Sequence, residues 1–242
     1  LMPPPQYFPE NVKMNKSGYQ DIDVVLSNGN NPLSADAFEA AANKFGAVVL
    51  DVRSADDFSS GHIPNSIFIG IDGGFAPWVG TLIGDTQHPI LIVAPKGREE
   101  ETITRLSRVG FDNAIGFLDG GFDHWKNASK DIEKIENCTA EQLQNIIHDQ
   151  VTVFDVRKES EFQATHIPNA KLVPLDRLNN DLSQFSKDKP FYLHCAGGYR
   201  SMIALSILKS RGIHNGINVI GGMKSIRATS IELSESPCSI SS

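Results

Sequence analysis

Short apolar runs alternate with segments of helical spacing along most of the chain. In the second half, the apolar runs predict strands over Val151–Asp155, Lys171–Val173, Phe191–Cys195 and Ile217–Ile220. The spacing between them predicts helices that begin after Thr139 and over Lys158–Ala164, Asp176–Leu182 and Ser201–Arg211. Gly212 is expected to end the last helix in a left-handed conformation. This alternation is typical of an α/β fold with a mostly parallel, buried sheet.

The two halves of the chain repeat one another. The segment Asp51-Val52-Arg53 recurs 104 positions later (155 − 51) as Asp155-Val156-Arg157, and His62-Ile63-Pro64-Asn65 recurs at the same offset from His166. Gly120-Gly121 recurs 101 positions later (221 − 120). The first half is therefore expected to repeat the order, with strands over Ala47–Asp51 and Ile90–Ala94 and a helix over Glu99–Val109. We predict two tandem domains, over residues 33–130 and 138–232.

Composition supports two globular domains and narrows the classes of partner. The 242 residues are 40% hydrophobic and 21% charged, enough for two cores of about 110 residues each. The net charge of −7 gives no electrostatic footprint for nucleic acid or an anionic membrane. No apolar run approaches the ~18 residues of a membrane span, and no basic segment followed by an apolar stretch opens the chain. We expect a cytoplasmic protein.

The two ends of the sequence differ from the rest. Residues 1–32 open on a stretch rich in Pro, Asn and Lys, with Leu1 in first place. We interpret them as a linker that follows a missing upstream domain. Residues 233–242 are rich in serine and hold little to bury, so we expect a flexible tail there.

The cysteine and histidine spacings predict neither disulfides nor a metal. Cys138, Cys195 and Cys238 are an odd number without a CxxC pattern, which favours a reducing compartment. Cys138, in the connector between the domains, and Cys238, in the tail, are expected to be incidental thiols. The seven histidines show no HxH or i, i+4 spacing, so no metal is predicted. No GxGxxG or GK[ST] pattern supports a nucleotide cofactor.

The candidate chemistry lies at Cys195. This thiol ends a predicted strand and faces the start of a helix across a glycine-bearing loop, where open α/β sheets place their ligands. Backbone N–H groups that converge in such a loop, together with the helix dipole, stabilise a thiolate or a persulfide anion. Arg200 is expected to add a positive charge for an anionic sulfur donor. The expected anion-binding loop consists of Ala196, Gly197, Gly198, Tyr199, Arg200 and Ser201.

Other interpretations of these residues stay open on the sequence alone. Cys195 could be a buried, inert strand cysteine, since free cysteines are among the most buried residues. It could also be a redox sensor in a non-catalytic interaction module. A Cys–His dyad with His194 is not expected, because adjacent strand residues point to opposite faces of a sheet. His62 and His166 recur in both halves, which favours a structural role for each.

The pattern CxxGxR, here Cys195, Gly198 and Arg200, resembles the rhodanese superfamily of sulfurtransferases when it is combined with the DVR and HIPNA elements. The resemblance implies that Cys195 carries sulfane sulfur as a persulfide and passes it to a nucleophile. It also implies catalytic roles for Cys195 and Arg200, and a structural anchor built from Asp155, Arg157 and His166. The related dual-specificity phosphatases place five residues between Cys and Arg, whereas four lie between them here.

The first half lacks the thiol. Ala94 stands where Cys195 does, and three glutamates, Glu99 to Glu101, follow its loop. This half is therefore expected to be catalytically silent. The order of a silent and then an active module, with the N-terminal residues, resembles proteins in which a metallo-β-lactamase-fold domain of the glyoxalase II or persulfide dioxygenase type comes first. That resemblance implies low-molecular-weight sulfur donors and thiol acceptors as partners, and a metal only in the upstream domain.

Overall fold

The computed structural model describes residues 21–148 and 151–235. The chain divides between Lys134 and Ile135 into two compact units. Each unit holds one five-stranded sheet in which every pairing is parallel, with helices in the connections between strands. The predicted pair of tandem α/β domains is confirmed.

The described part of unit 1 opens on a helix, and its sheet has the strand order β1-β5-β4-β2-β3. The strands are Pro32–Leu33 (β1), Val48–Asp51 (β2), Ile67–Phe68 (β3), Ile90–Val93 (β4) and Ala114–Leu118 (β5). The helices are Ile22–Gly29 (α1), Ala35–Phe45 (α2), Ala55–Ser60 (α3), Phe75–Leu82 (α4), Glu99–Ser107 (α5) and Gly121–Asn127 (α6). All four residues of the central strand β4 are buried, as expected for a parallel strand covered on both faces.

Unit 2 repeats the same topology, with its main sheet in the order β6-β11-β10-β7-β9. The strands are Glu136–Cys138 (β6), Thr152–Asp155 (β7), Thr165–His166 (β8), Lys171–Leu172 (β9), Phe191–His194 (β10), Gly216–Val219 (β11) and Ser234–Glu235 (β12). The helices are Ala140–Ile146 (α7), Glu159–Ala164 (α8), Tyr199–Ser210 (α9) and Gly222–Ile226 (α10), with 3-10 segments over Leu175–Asn180 and Leu182–Gln184.

Side-chain caps and a left-handed glycine set the ends of several elements. Ser34 and Ser54 accept the backbone N–H groups that open α2 and α3. Thr139 and Gln142 form the predicted capping box at α7. Gly212 takes φ +76° after α9, as predicted, because a left-handed residue returns the chain to the sheet without the cost a Cβ would bring.

The structure corrects the sequence prediction at both ends of the chain. Residues 1–20 lie outside the described residues, but α1 and β1 occupy most of the remainder of the predicted linker. Val25 is buried, and a Cβ on Gly29 would lie 2.9 Å from Ile103, so α1 packs against α5. In the predicted tail, β12 pairs antiparallel with β8; residues 236–242 lie outside the described residues. Tertiary contacts, which composition does not report, place α1, β1 and β12.

One local prediction in unit 2 is refined and one is wrong. The helical segment predicted over Asp176–Leu182 is present as two short 3-10 turns, of which the first begins directly after Pro174. Cys138, predicted in a connector, lies in the edge strand β6 and is buried in a hydrophobic cluster with Leu143 and Val219. A strand of three residues is too short to show period-2 alternation clearly.

Candidate active site

Cys195 lies directly after the carboxyl end of β10, the central strand of unit 2. The loop that follows turns at Gly198, whose φ of +108° is open to glycine, and α9 starts at Tyr199. Helix α9 thus begins two residues earlier than predicted, so Arg200 and Ser201 belong to its first turn. Its N-terminal end faces the candidate nucleophile.

The sulfur of Cys195 lies beneath this loop. The Gly198 N–H donates to Sγ at 3.1 Å, and the Ser201 hydroxyl oxygen is 3.6 Å from Sγ. The Cys195 side chain is 1% exposed, whereas Ala196 and Gly197 at the crest of the loop are exposed. The arrangement supplies one backbone donor and a helix N-terminus to a sulfur buried at the base of the loop.

The loop is fixed from behind by the first turn of α10. The Met223 N–H donates to the Cys195 carbonyl at 2.7 Å, and the Lys224 N–H donates to the Ala196 carbonyl at 3.0 Å. Gly222 allows this close approach, because a Cβ there would lie 2.4 Å from the Cys195 carbonyl oxygen. Gly222, the second glycine of the repeated pair, therefore allows α10 to hydrogen-bond the loop.

Arg200 forms an ion pair with Glu161. Its Nη1 and Nη2 donate to the two carboxylate oxygens of Glu161 at 2.6 and 2.8 Å. Glu161 also accepts from the Lys158 N–H at the start of α8. This bidentate pair ties α9 to α8. Hydrogen bonding from Glu161, with a smaller electrostatic contribution from Cys195, raises the pKa of Arg200. The expected role of Arg200 toward an anionic donor stays a prediction.

This ion pair holds the pKa of Glu161 far below its ordinary value, at about 2. The cause is the hydrogen bonding from Arg200, which outweighs the desolvation of the carboxylate. A lowered pKa in the folded state means that the pair stabilises unit 2 above the ordinary glutamate pKa and ceases to do so as the pH falls toward 2.

We expect Glu161→Gln to lower the free energy of unfolding at neutral pH by about 1–2 kcal/mol, a value discounted for the third of the side chain that water screens. The difference from the wild type should shrink as the pH falls from 4.5 to about 2. Urea unfolding across that range measures it. Glu159→Gln, on an exposed position of the same helix, removes the same charge and should leave stability nearly unchanged. An equal effect of both variants would contradict the assignment.

Two of the predicted anchor residues, Asp155 and Arg157, form a buried pair in unit 2, and the third, His166, is partly buried and contacts α8. The Arg157 guanidinium donates to both oxygens of Asp155, at 2.6 Å for the shortest contact, and to the Thr165 carbonyl at 2.7 Å. His166 stacks on Phe162 with ring centres 4.0 Å apart and contacts its carbonyl oxygen at 2.9 Å through Nδ1. These contacts connect β7 to the chain after α8.

Unit 1 contains the same frame without the thiol. Arg53 donates to Asp51 at 2.6 Å and to the Gly61 carbonyl at 2.7 Å, and His62 stacks on Phe58 with ring centres 4.0 Å apart. Burial raises the pKa of Asp51 in spite of Arg53. Since the frame is complete where no cysteine is present, its residues serve the fold of both units.

His194 is buried next to Cys195 and contacts its backbone. Its Nδ1 lies 3.2 Å from the Cys195 carbonyl oxygen, and its Nε2 lies 3.8 Å from the Asp155 carboxylate. Burial lowers the pKa of His194. A backbone carbonyl can only accept, so the ring is neutral with its proton on Nδ1. The ring is thus engaged away from the sulfur.

The loop of unit 1 that corresponds to the Cys195 loop has a different set of charged contacts. Ala94 is buried and has no nucleophile, and Arg98 donates to Asp72 at 2.7 Å and to Glu101 at 2.8 Å. These carboxylates raise the pKa of Arg98 further above its ordinary value. The guanidinium is therefore held by acidic side chains of its own unit.

Cys138 differs from Cys195 in its surroundings. Burial raises the pKa of its thiol to about 11, with a smaller contribution from the nearby Glu136 carboxylate. A thiol that stays protonated is a poor nucleophile, so Cys138 is a suitable internal control for reactions at Cys195. Cys238 lies outside the described residues.

Three residues of the site were not predicted from the sequence. Gly222 belongs to a repeated glycine pair, Glu161 lies within the predicted helix Lys158–Ala164, and Asn218 lies in a predicted strand. Asn218 is a polar residue within the apolar run 217–220, and that exception to the pattern was a usable signal. Glu161 lies 39 positions from Arg200, and nothing in the spacing connects the two.

Comparison with known families decides the class of the protein. Residues 34–128 and 139–229 match the Rhodanese-like domain, one match in each unit. The chain belongs to the rhodanese-like domain family. The two matches cover most of the described part of this rhodanese-like protein, including β10 and the Cys195 loop.

This rhodanese-like chain is similar to several curated proteins. It is 36% identical over 72 residues to the uncharacterized protein YqhL and 26% identical over 110 residues to the putative sulfur carrier protein YrkF, both of Bacillus subtilis. These matches span 57% and 58% of the relatives' lengths and 30% and 45% of the chain. It is also 31% identical over 87 residues to the thiosulfate sulfurtransferase GlpE of Pseudomonas savastanoi, over 36% of this chain and 78% of GlpE.

Two solved structures are among those similar to this chain. A rhodanese-like domain protein of Staphylococcus aureus is 35% identical, with 40% of this chain and 97% of that chain covered and a TM-score of 0.38. A thiosulfate sulfurtransferase of Pseudomonas aeruginosa is 19% identical over 86% of this chain and 44% of its own, with a TM-score of 0.37.

The described residues, 21–148 and 151–235, contain neither a cluster of metal ligands nor a membrane-spanning helix. Within them, no group of three or more His, Cys, Asp or Glu side chains is placed to hold a metal ion. None of the helices in these ranges is long and apolar enough to cross a membrane.

Proposed function

We propose that this protein is a rhodanese-type sulfurtransferase with one active site, in which Cys195 carries sulfane sulfur as a persulfide. The observation that supports it most directly is the position of the Cys195 sulfur: it lies at the carboxyl end of the central strand, receives the Gly198 N–H at 3.1 Å and faces the start of α9. Sulfur transfer in general agrees with the family and with the sulfurtransferase and sulfur carrier relatives.

The proposed reaction has two displacement steps. The Cys195 thiolate attacks the outer sulfur of thiosulfate; a new S–S bond forms as the old one breaks, and sulfite leaves with the electron pair. A nucleophile such as cyanide or a thiolate then attacks the outer sulfur of the persulfide, and Cys195 leaves as a thiolate. The Gly198 N–H and the helix dipole stabilise negative charge on sulfur in both steps.

Low-molecular-weight persulfides are a second class of donor, and thiols such as glutathione a class of acceptor. The reaction needs no metal or cofactor in this chain, since the persulfide is the carrier. The fusion to an upstream metallo-β-lactamase-fold domain and the cytoplasmic location remain proposals that rest on the resemblance and on the unpaired cysteines.

The size of the loop argues against a phosphatase. Four residues separate Cys195 from Arg200, and Arg200 is engaged with Glu161, so its guanidinium does not line a phosphate site in this state. A phosphate group presents three oxygens to its site, and each needs a hydrogen-bond donor. In unit 1, Ala94 cannot form a persulfide, and we propose that this unit is catalytically silent.

Incubation with thiosulfate, followed by intact-mass and peptide analysis, tests the proposal. We expect one added sulfur atom per chain, located on the peptide that contains Cys195 and removed by cyanide. Cys138 should stay unmodified, because its pKa of about 11 keeps it protonated. An unloaded protein, tested with both thiosulfate and glutathione persulfide, would overturn the proposal.

The buried state of the sulfur, 1% exposed, favours one alternative, a non-catalytic redox module. That function predicts oxidation of Cys195 by peroxide without any transfer of sulfur to cyanide or glutathione. Turnover with either acceptor therefore excludes it. Release of phosphate from p-nitrophenyl phosphate by the protein would instead support the phosphatase.

A further inference from the structure

A row of three polar side chains extends away from the Cys195 sulfur through the sheet of unit 2. Ser201 Oγ lies 3.6 Å from Sγ and 2.8 Å from Asn218 Oδ1, and Asn218 Nδ2 donates to Asn137 Oδ1 at 2.9 Å. Ser201 is fully buried and Asn218 is 4% exposed. Burial of polar groups costs free energy of folding unless they are hydrogen-bonded, so three linked polar side chains beside the sulfur point to a function.

The row has a fixed direction. The Asn137 side-chain amide donates to the Ile135 carbonyl at 3.3 Å, and a backbone carbonyl can only accept. Asn137 therefore accepts from Asn218 Nδ2 through its Oδ1. The Asn218 Oδ1 then points to Ser201 and accepts from its hydroxyl. The asparagine that meets the hydroxyl is thus an acceptor.

Ser201 has one hydroxyl proton and two carbonyl-type acceptors. Asn218 Oδ1 is 2.8 Å away and the Gly198 carbonyl oxygen is 2.9 Å away, while the sulfur is at 3.6 Å. Neither oxygen can donate in return. The proton is therefore drawn to an oxygen, and a lone pair of Ser201 faces the sulfur, where it can accept from the Cys195 thiol.

Unit 1 lacks this row. Phe117 holds the register position in β5 that Asn218 holds in β11 (218 − 117 = 101), and it pairs with Pro32 where Asn218 pairs with Asn137. An apolar pair thus satisfies the same fold in the unit without a cysteine. The polar row therefore accompanies the thiol and is not required by the sheet.

We propose that Asn218, oriented by Asn137, is a positioning residue that holds the Ser201 proton away from the Cys195 sulfur. This inference rests on the proposed role of Cys195 as the nucleophile. The resting thiol is then favoured by Ser201 as an acceptor, and the Gly198 N–H is the donor that meets the thiolate. A sulfur that receives fewer hydrogen bonds keeps more of its nucleophilicity.

The charged groups around the sulfur are left in place by the test. They are the Asp155–Arg157 pair and the Arg200–Glu161 pair, and the titratable His194 ring lies beside them, with the contacts described above. None of them contacts Asn218 within the hydrogen bonds found in the described residues. A change at Asn218 therefore reaches Cys195 through Ser201 or through packing, and the experiment separates these two routes.

The experiment measures the rate of Cys195 carbamidomethylation by iodoacetamide against pH, resolved by peptide mass. Asn218→Leu removes one of the two oxygen acceptors of the Ser201 proton and leaves the Gly198 carbonyl at 2.9 Å. The hydroxyl then donates to the thiolate for part of the time, so the midpoint of the profile should fall by about half a pH unit. In a Ser201→Ala background the same substitution should give no shift. Asn137→Ala, at an exposed position, leaves Asn218 free to rotate and should lower the midpoint by a smaller amount.

Two results would overturn the inference. One is an unchanged or higher midpoint in folded Asn218→Leu; the other is an equal shift in both backgrounds, which would assign the effect to packing. If Asn218→Leu does not fold, the exposed Asn137→Ala variant decides, and an unshifted or higher midpoint there also overturns the inference. Alkylation needs no sulfur donor, so a protein that fails to load sulfur contradicts the proposed function alone.

Discussion

Turnover of thiosulfate with cyanide should fall to the uncatalysed rate in Cys195→Ser, a loss of about 10⁴-fold or more, since a serine hydroxyl cannot act as the sulfur carrier. The substitution is nearly isosteric, and its oxygen can still accept the Gly198 N–H, so the fold should be kept. Steady-state release of thiocyanate measures the effect, and circular dichroism checks the fold.

Cys138→Ala is the matched control for this loss. It removes the other described thiol of the same unit, from a buried position in the edge strand β6, and is expected to retain most of the turnover. If Cys195→Ser kept more than a tenth of the activity, or if Cys138→Ala lost as much, the sulfur carrier would have to lie elsewhere.

The second large effect is expected at Gly222. An alanine Cβ there would lie 2.4 Å from the Cys195 carbonyl oxygen, and the backbone φ is +54°. Backbone strain and the forced shift of α10 together should lower the free energy of unfolding by about 2–4 kcal/mol. Turnover should fall at least tenfold in the protein that remains folded, because the carbonyls of the loop lose their donors on α10.

Gly121→Ala gives the corresponding change in unit 1. The backbone there has a similar φ of +66°, but the new Cβ would lie 3.4 Å from the Ala94 carbonyl oxygen, an ordinary contact. We expect only the cost of the left-handed conformation, about 1–2 kcal/mol, with turnover unchanged. Urea unfolding and thiocyanate release on both variants measure the pair. Equal effects on turnover would show that close approach to the loop is not what Gly222 provides.

The sequence was sufficient for the fold because the pattern of unit 2 was seen twice. Buried parallel strands appear as short apolar runs, and the repeat confirmed which runs belong together. The position of Cys195 followed from the same pattern, since a strand end, two glycines and a helix start are local features. The α1 segment was missed because its eight residues include Asn and Gly, and its order comes from burial of Val25.

The partners of Arg200 and Ser201 could not be predicted, for a physical reason. Both contacts join residues that are distant along the chain, Glu161 at 39 positions and Asn218 at 17. A formal charge in a loop indicates neither its partner nor its direction. The guanidinium could be placed in the loop by sequence, but only the fold shows that a carboxylate from α8 neutralises it.

Comparison of the two units separates the residues that the fold needs from those that the proposed chemistry needs. The Asp–Arg and His–Phe contacts are present in both, whereas the thiol, its hydroxyl neighbour and the amide row occur in unit 2 alone. Fold and chemistry thus depend on separate sets of residues. A duplicated copy can keep the first set and lose the second, and this chain carries the record of that divergence within itself.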